Sequence, residues 1–142
     1  MFENLFLLVK NNAGKAIIDN PEIAEKDREA VITEASSSII DVLKNHIETG
    51  RMKDLVAFFQ LNGIYNNPLV NSMVNKFANR LNKYYNITPN SAYKIADGLI
   101  PQVMVQFMQQ TRTENNMGAV FTQLNGNRAD LTGLVSGMMM AS

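Results

Sequence analysis

Residues 86–107 read NITPNSAYKIADGLIPQVMVQF, and the architecture turns on whether Pro101 divides this stretch. Thr88 has the position of an N-cap and Pro89 that of a first helical residue, where a missing amide proton costs nothing. Ile87, just before the cap, is placed to pack on Ala92 as a hydrophobic staple. Ala92, Ile95, Ala96 and Leu99 then share one helix face. Pro101 cannot donate and disfavours helical geometry at Ile100, so the spacing predicts an end or kink near Gly98. A new helix is expected from Pro101, burying Val103, Met104, Phe107 and Met108.

The same punctuation extends in both directions. Asn67-Pro68 opens a helix whose apolar face is Val70, Met73, Val74, Phe77, Ala78 and Leu81. Met52, Leu55, Val56 and Phe59 fall at helical spacing, with Gly63 as the expected stop. Asp19-Asn20-Pro21 predicts the start of a long helix that Gly50 ends. Within that helix Ala35, Ile39, Val42, Leu43 and His46 form one stripe, and Glu22 and Lys26 form an i,i+4 pair on its polar side. The breakers Asn115-Asn116 and Asn125-Gly126-Asn127 leave short helices at about 117–124 and 129–140. Asparagine is unusually common in the turns, and no alternating strand pattern of useful length occurs. The expected fold is therefore all-α: a compact bundle of about six or seven short-to-medium helices with near-orthogonal corners. It forms a single helical domain over 1–142, with an acidic part at 1–63 and a second part at 64–142.

Composition sets bounds on function. The 142 residues are 46% hydrophobic and contain no cysteine, which removes disulfides, thiolate metal sites and cysteine nucleophiles. The 13 basic and 13 acidic side chains balance, so no global field draws the chain to nucleic acid or acidic lipid. The charge is nevertheless split. Residues 1–63 carry 7 basic and 10 acidic side chains, and residues 64–142 carry 6 and 3. Opposite halves either steer copies head to tail or attract each other within one fold, and the second is the simpler reading. Glu3 and a short apolar run argue against a secretory signal, and no segment approaches the roughly 20 apolar residues of a membrane span. A soluble, cytoplasmic chain is expected.

A helix-turn-helix template fits residues 76–97 loosely. Leu81, Tyr85, Ile87 and Ile95 match its apolar positions, and Asn86 suits its left-handed turn. Asn82 stands where a small apolar residue is wanted. The reading face would be Asn90, Ser91, Tyr93, Lys94 and Asp97, with Lys76, Arg80 and Lys83 as phosphate contacts. One basic residue on that face, beside Asp97, makes a thin footprint, so nucleic acid is the disfavoured partner.

The segment from Asn67 to Thr111, NPLVNSMVNKFANRLNKYYNITPNSAYKIADGLIPQVMVQFMQQT, resembles the YidB-like family of small bacterial helical proteins of unknown function. The likeness lies in the Leu99-Ile100-Pro101 step after an alanine-bearing helix. It extends to GAVFTQLNGNRADLTGLVSGM, Gly118 to Met138, where Met138-Met139-Met140 replaces the family's glycine-rich ending. The resemblance implies a compact all-helical fold and carries no catalytic residue.

No residue pattern announces a reaction, cofactor, metal or small-molecule ligand. His46 is the only histidine, and Glu48, two residues on, faces elsewhere on a helix. It reads as a core-edge residue. Ser36-Ser37-Ser38 permits close approach of another helix or forms an exposed patch. The two ends, MFENLFLLV and GLVSGMMMAS, are rich in large apolar groups; the simpler reading folds them into the core, and the functional one makes them a docking surface of Phe2, Phe6, Met138, Met139 and Met140. The expected function is a non-catalytic interaction or assembly module, self-associating or binding another protein. The alternative is a helix-turn-helix-like nucleic-acid binder using Lys76, Arg80, Lys83, Asn90, Ser91 and Lys94. An enzyme built from scattered Asn, Asp and Tyr side chains would instead require a deep polar cleft.

Overall fold

The computed structural model describes residues 2–61, 63–64 and 66–141. Among these residues seven α-helices run in chain order: α1 (Phe2–Asn12), α2 (Arg28–Glu48), α3 (Met52–Phe59), α4 (Pro68–Tyr85), α5 (Pro89–Glu114), α6 (Met117–Leu124) and α7 (Thr132–Ala141). A π-helical turn, Gly14–Ile18, and a 3-10 turn, Glu25–Asp27, lie between α1 and α2, so helical segments slightly exceed the six or seven expected. No strand occurs among the described residues, and the all-α expectation holds.

The proline does not divide the chain. α5 continues through Pro101 for 26 residues, so of the end or kink expected near Gly98 the end does not occur, and no new helix begins at Pro101. An interior proline costs about 3 kcal/mol. Against this, Leu99, Ile100, Val103 and Met104 are all fully buried around it, each contributing roughly 1.5–3 kcal/mol. Burial wins. The amide that Pro101 lacks would have met the Asp97 carbonyl, and Asp97 and Gly98 lie on the exposed face, where water can take that role.

The hairpin into α5 follows the sequence closely. Asn67 caps α4, its side-chain oxygen accepting from the amides of Leu69 at 2.9 Å and Val70 at 3.4 Å. Asn86 ends α4 in the left-handed conformation with φ of 55°. The Asn82 amide, placed where the template wanted a small apolar residue, donates to the Ile87 carbonyl at 2.8 Å and fixes the turn. Thr88 stands at the N-cap, but its hydroxyl makes no capping bond. Asn66, Asn86, Asn115 and Asn127 are the non-glycine residues with positive φ among those described. Asparagine tolerates this region because its short amide bonds locally, which accounts for its abundance in the turns.

Two other boundaries move. α2 begins at Arg28 rather than at Pro21, because Asn20 accepts the Glu22 amide at 2.9 Å in a local turn and Ile23 tucks into the core. Glu22 and Lys26 are therefore not a helical pair. Gly50, at φ 77°, does end α2: its amide bonds the Ile47 carbonyl at 3.2 Å and the Arg51 amide bonds that of His46 at 2.8 Å. α3 stops at Phe59, before Gly63, because the Arg112 guanidinium of α5 donates to the carbonyls of Phe59 at 3.3 Å and Leu61 at 2.5 Å. α7 starts three residues later than expected. The Asp130 carboxylate accepts the Thr132 amide at 2.9 Å, a bond that also holds the Asp130 carboxyl below its usual range.

One core cluster runs from Leu5 on α1 to Val135 on α7. Its aromatic centre is Phe59, whose ring meets Phe58, Phe107 and Phe121 edge-on at 5.6, 5.8 and 5.7 Å. This ties α3, α5 and α6 together. Phe59→Ala should cost about 3–5 kcal/mol in urea unfolding monitored by circular dichroism. A loss below about 1 kcal/mol would mean that the ring is not central.

Candidate functional site

α2 and α4 meet along a polar seam. Ser38 lies in it; both Ser36 and Ser38 of α2 are buried, their hydroxyls bonded back to the carbonyls of Ile32 at 3.2 Å and Glu34 at 2.8 Å. Their burial excludes an exposed patch at these two positions. Glu34, Ser38 and Asp41 recur at i, i+4 and i+7, so they present three acceptors to one neighbour. That neighbour is Arg80 of α4, which reaches Ser38 Oγ at 3.2 Å, Asp41 Oδ2 at 2.6 Å and Glu34 Oε1 at 3.5 Å. Tyr85, one turn on, has its hydroxyl pushed above the ordinary value by partial burial, then by the carboxylates of Glu34 and Asp27. The stability this contributes is complete below the ordinary tyrosine value and is lost as pH rises through the raised one.

Beside the seam lies an open cleft of about 590 Å³ between the C-terminal half of α2 and α4, lined by Lys44, His46, Arg51, Ser72 and Lys76 among others. A shallower groove of about 470 Å³ follows α4 through Ser72, Lys76, Arg80 and Lys83. The two share Ser72 and Lys76 and so form a continuous polar surface. His46 is half-buried at the cleft edge, with Nδ1 3.4 Å from the Val42 carbonyl. Among the described residues no group of acidic, histidine and cysteine side chains is arranged to hold a metal.

The residues proposed for nucleic-acid contact are dispersed in role. Lys76 lines the cleft, but Arg80 is committed to α2 and is withdrawn from the set of free phosphate contacts. Lys83 lies over the ring of its own neighbour Tyr84, 5.4 Å from the centroid. Asn90 and Lys94 are exposed on the first turns of α5, and Ser91 is half-buried. At the chain ends the apolar set also divides. Phe6, Met138 and Met139 pack against the core, whereas Phe2 is 44% and Met140 88% exposed. α1 packs on α2 and α5, and α7 on α3 and α6, so the ends have different neighbours.

The split charge also acts internally. Each ion pair among the described residues joins an acid from 1–63 to a base from 64–142: Glu34 and Asp41 to Arg80, and Glu48 to Arg128 at 3.9 Å. Lys44 and Arg51, which no sequence motif singled out, emerge as cleft residues because α2 packs along α4, placing them beside Ser72 and Lys76. Compared with known proteins, the chain matches no family model, no curated protein and no solved structure.

Arg80 is about a quarter exposed, so its pairs are only partly screened. Arg80→Met, which keeps the stem, should lower stability by about 1–2 kcal/mol at low salt and by less in molar salt. An equal loss at both salt levels would show packing, rather than charge, to be what Arg80 contributes.

Proposed function

We propose that the chain is a non-catalytic helical interaction module that associates with a second copy of itself through α7. The observation that carries this is the composition and exposure of that helix. TGLVSGMMMA has no charged residue, and it packs on α6 and α3 through Val135, Met138 and Met139. Its outer face holds Gly133, Gly137 and Met140 at i, i+4 and i+7, with Leu134 alongside and 53% exposed. A Cβ placed at Gly133 or Gly137 would meet no atom within 4 Å, so this side of the helix is uncovered.

Large apolar side chains flanking small ones suit a second helix approaching closely, and exposed patches of this kind mark interaction surfaces. A twofold contact places the same face against itself, and a face without charge meets no repulsion from its own copy. Met140 adds a flexible, polarisable side chain that adapts to the facing surface. The Phe2 end serves as a secondary contact, and the likeness of residues 67–138 to the YidB-like family stands as a proposal of kinship that adds no residue to this reading. A second reading, nucleic-acid contact through residues 76–97, is favoured by the left-handed Asn86 turn and the exposed Asn90 and Lys94. The engagement of Arg80 weighs against it.

Light scattering after size exclusion should show a mass rising with concentration from 15.9 kDa towards twice that value. Leu134→Glu, at an exposed position, should hold the chain monomeric without changing its circular dichroism. A wild-type monomer at every concentration, or a dimer indifferent to Leu134→Glu, would contradict the proposal.

A further inference from the structure

We infer that the cleft between α2 and α4 is a binding site for a small phosphorylated ligand carrying at least two negative charges, with Lys44, Arg51 and Lys76 as its cationic contacts. This site is separate from the α7 face and stands or falls independently of it.

The balance of charge in the cleft is the starting point. Its lining includes two carboxylates, Asp41 and Glu48, which would be expected to neutralise the bases. Each also lies within ion-pair distance of a base outside the lining. Asp41 is held by Arg80 at 2.6 Å, and Glu48 lies 3.9 Å from Arg128, a loose contact. No ion pair joins Lys44, Arg51 or Lys76 to a carboxylate among the described residues. Three cations thus face a common space with two carboxylates, of which Asp41 is firmly paired elsewhere and Glu48 only loosely held.

A bland explanation for cations here is the C-terminus of α2, whose free carbonyls attract positive charge. Three of the last four carbonyls already accept hydrogen bonds from the chain. The Asn45 carbonyl accepts the Thr49 amide at 3.0 Å and the Thr49 hydroxyl at 2.6 Å. The His46 carbonyl accepts the Arg51 amide at 2.8 Å, and the Ile47 carbonyl accepts the Gly50 amide at 3.2 Å. Arg51 Nε instead bonds the Thr49 hydroxyl at 3.1 Å, which orients its side chain and leaves the two terminal nitrogens as a fork. Such a fork matches two oxygens of one phosphoryl group, and Lys44 and Lys76 supply point charges. Ser72 adds a hydroxyl in the lining, although that hydroxyl also bonds back to the Pro68 carbonyl at 3.0 Å.

Size argues for a small ligand. The open cleft, about 590 Å³, has room for a small molecule, for which roughly 300–1,000 Å³ is usual. A strand of nucleic acid would have to continue along α4, where Arg80 is engaged with α2 and Lys83 lies over Tyr84.

The test is calorimetric titration of the intact chain with inorganic pyrophosphate, with inorganic sulfate and a single-stranded twelve-nucleotide oligomer as comparisons. Saturable binding of one pyrophosphate per chain is expected, weakening with salt and exceeding sulfate by about tenfold or more. Lys76→Gln and Arg51→Gln should each weaken it about five- to tenfold, the effect of one charge-assisted contact. Lys83→Gln, outside the cleft, should leave it within twofold. Ser72→Asp, which adds a charge without removing a contact cation, should abolish it, and circular dichroism of each variant confirms that the helices remain. Absence of saturable binding, equal effects of Lys83→Gln and Lys76→Gln, or binding of the oligomer alone would overturn the assignment.

Discussion

Everything in this molecule leans on α5. It runs 26 residues, about 39 Å at the rise of an α-helix, and packs against α1, α2, α3, α4, α6 and the π-helical turn. A helix with that many neighbours must be apolar over much of its circumference. Its buried residues from Ala92 to Thr111 recur at intervals of three and four without a break. Thr111, the polar member, returns its hydroxyl to the Phe107 carbonyl at 2.8 Å, so its burial leaves no donor unmet. All the other α-helices except α7, which rests on α3 and α6, pack against this one, and the short turns fix the order in which they do so.

The fold class and most of the core could be read from the sequence because helical spacing and burial report the same fact. The stripes Val70, Met73, Val74, Phe77 and Leu81, and Ala35, Ile39, Val42 and Leu43, are buried as expected. What misled was punctuation. Pro101 reads as a stop on local grounds, although the apolar phase passes through it from Leu99 and Ile100 to Val103 and Met104 without a shift. Asn20-Pro21 resembled a helix start and instead opens a turn that delivers Ile23 to the core. Gly63 resembled a helix stop, yet a guanidinium some fifty residues away ends α3. A long-range partner of that kind leaves no mark in the neighbouring sequence.

The candidate surfaces were legible to different degrees. The apolar tail was visible as composition, but which of its methionines face inward depends on where α6 and α3 lie. The charge asymmetry between the two halves was visible as well, and it resolves into pairs such as Arg80 with Glu34 and Asp41. The cleft was not. It needs the end of α2 and the start of α4 side by side, and it needs Asp41 to be engaged by a residue 39 positions away. Its cations, Lys44, Arg51 and Lys76, form no motif along the chain. Their shared setting is a product of packing.

Amide hydrogen exchange at Gln102 and Val103 tests the account most directly. In an unbroken α5 these two amides have partners one turn back and sit beside buried Ile100 and Met104, so they should exchange only with unfolding of the core, alongside Leu99. If α5 were two helices meeting at Pro101, both amides would be unbonded first-turn donors and would exchange orders of magnitude faster than Leu99. Slow exchange at both is the predicted result; fast exchange at either would remove the spine on which this description of the molecule rests.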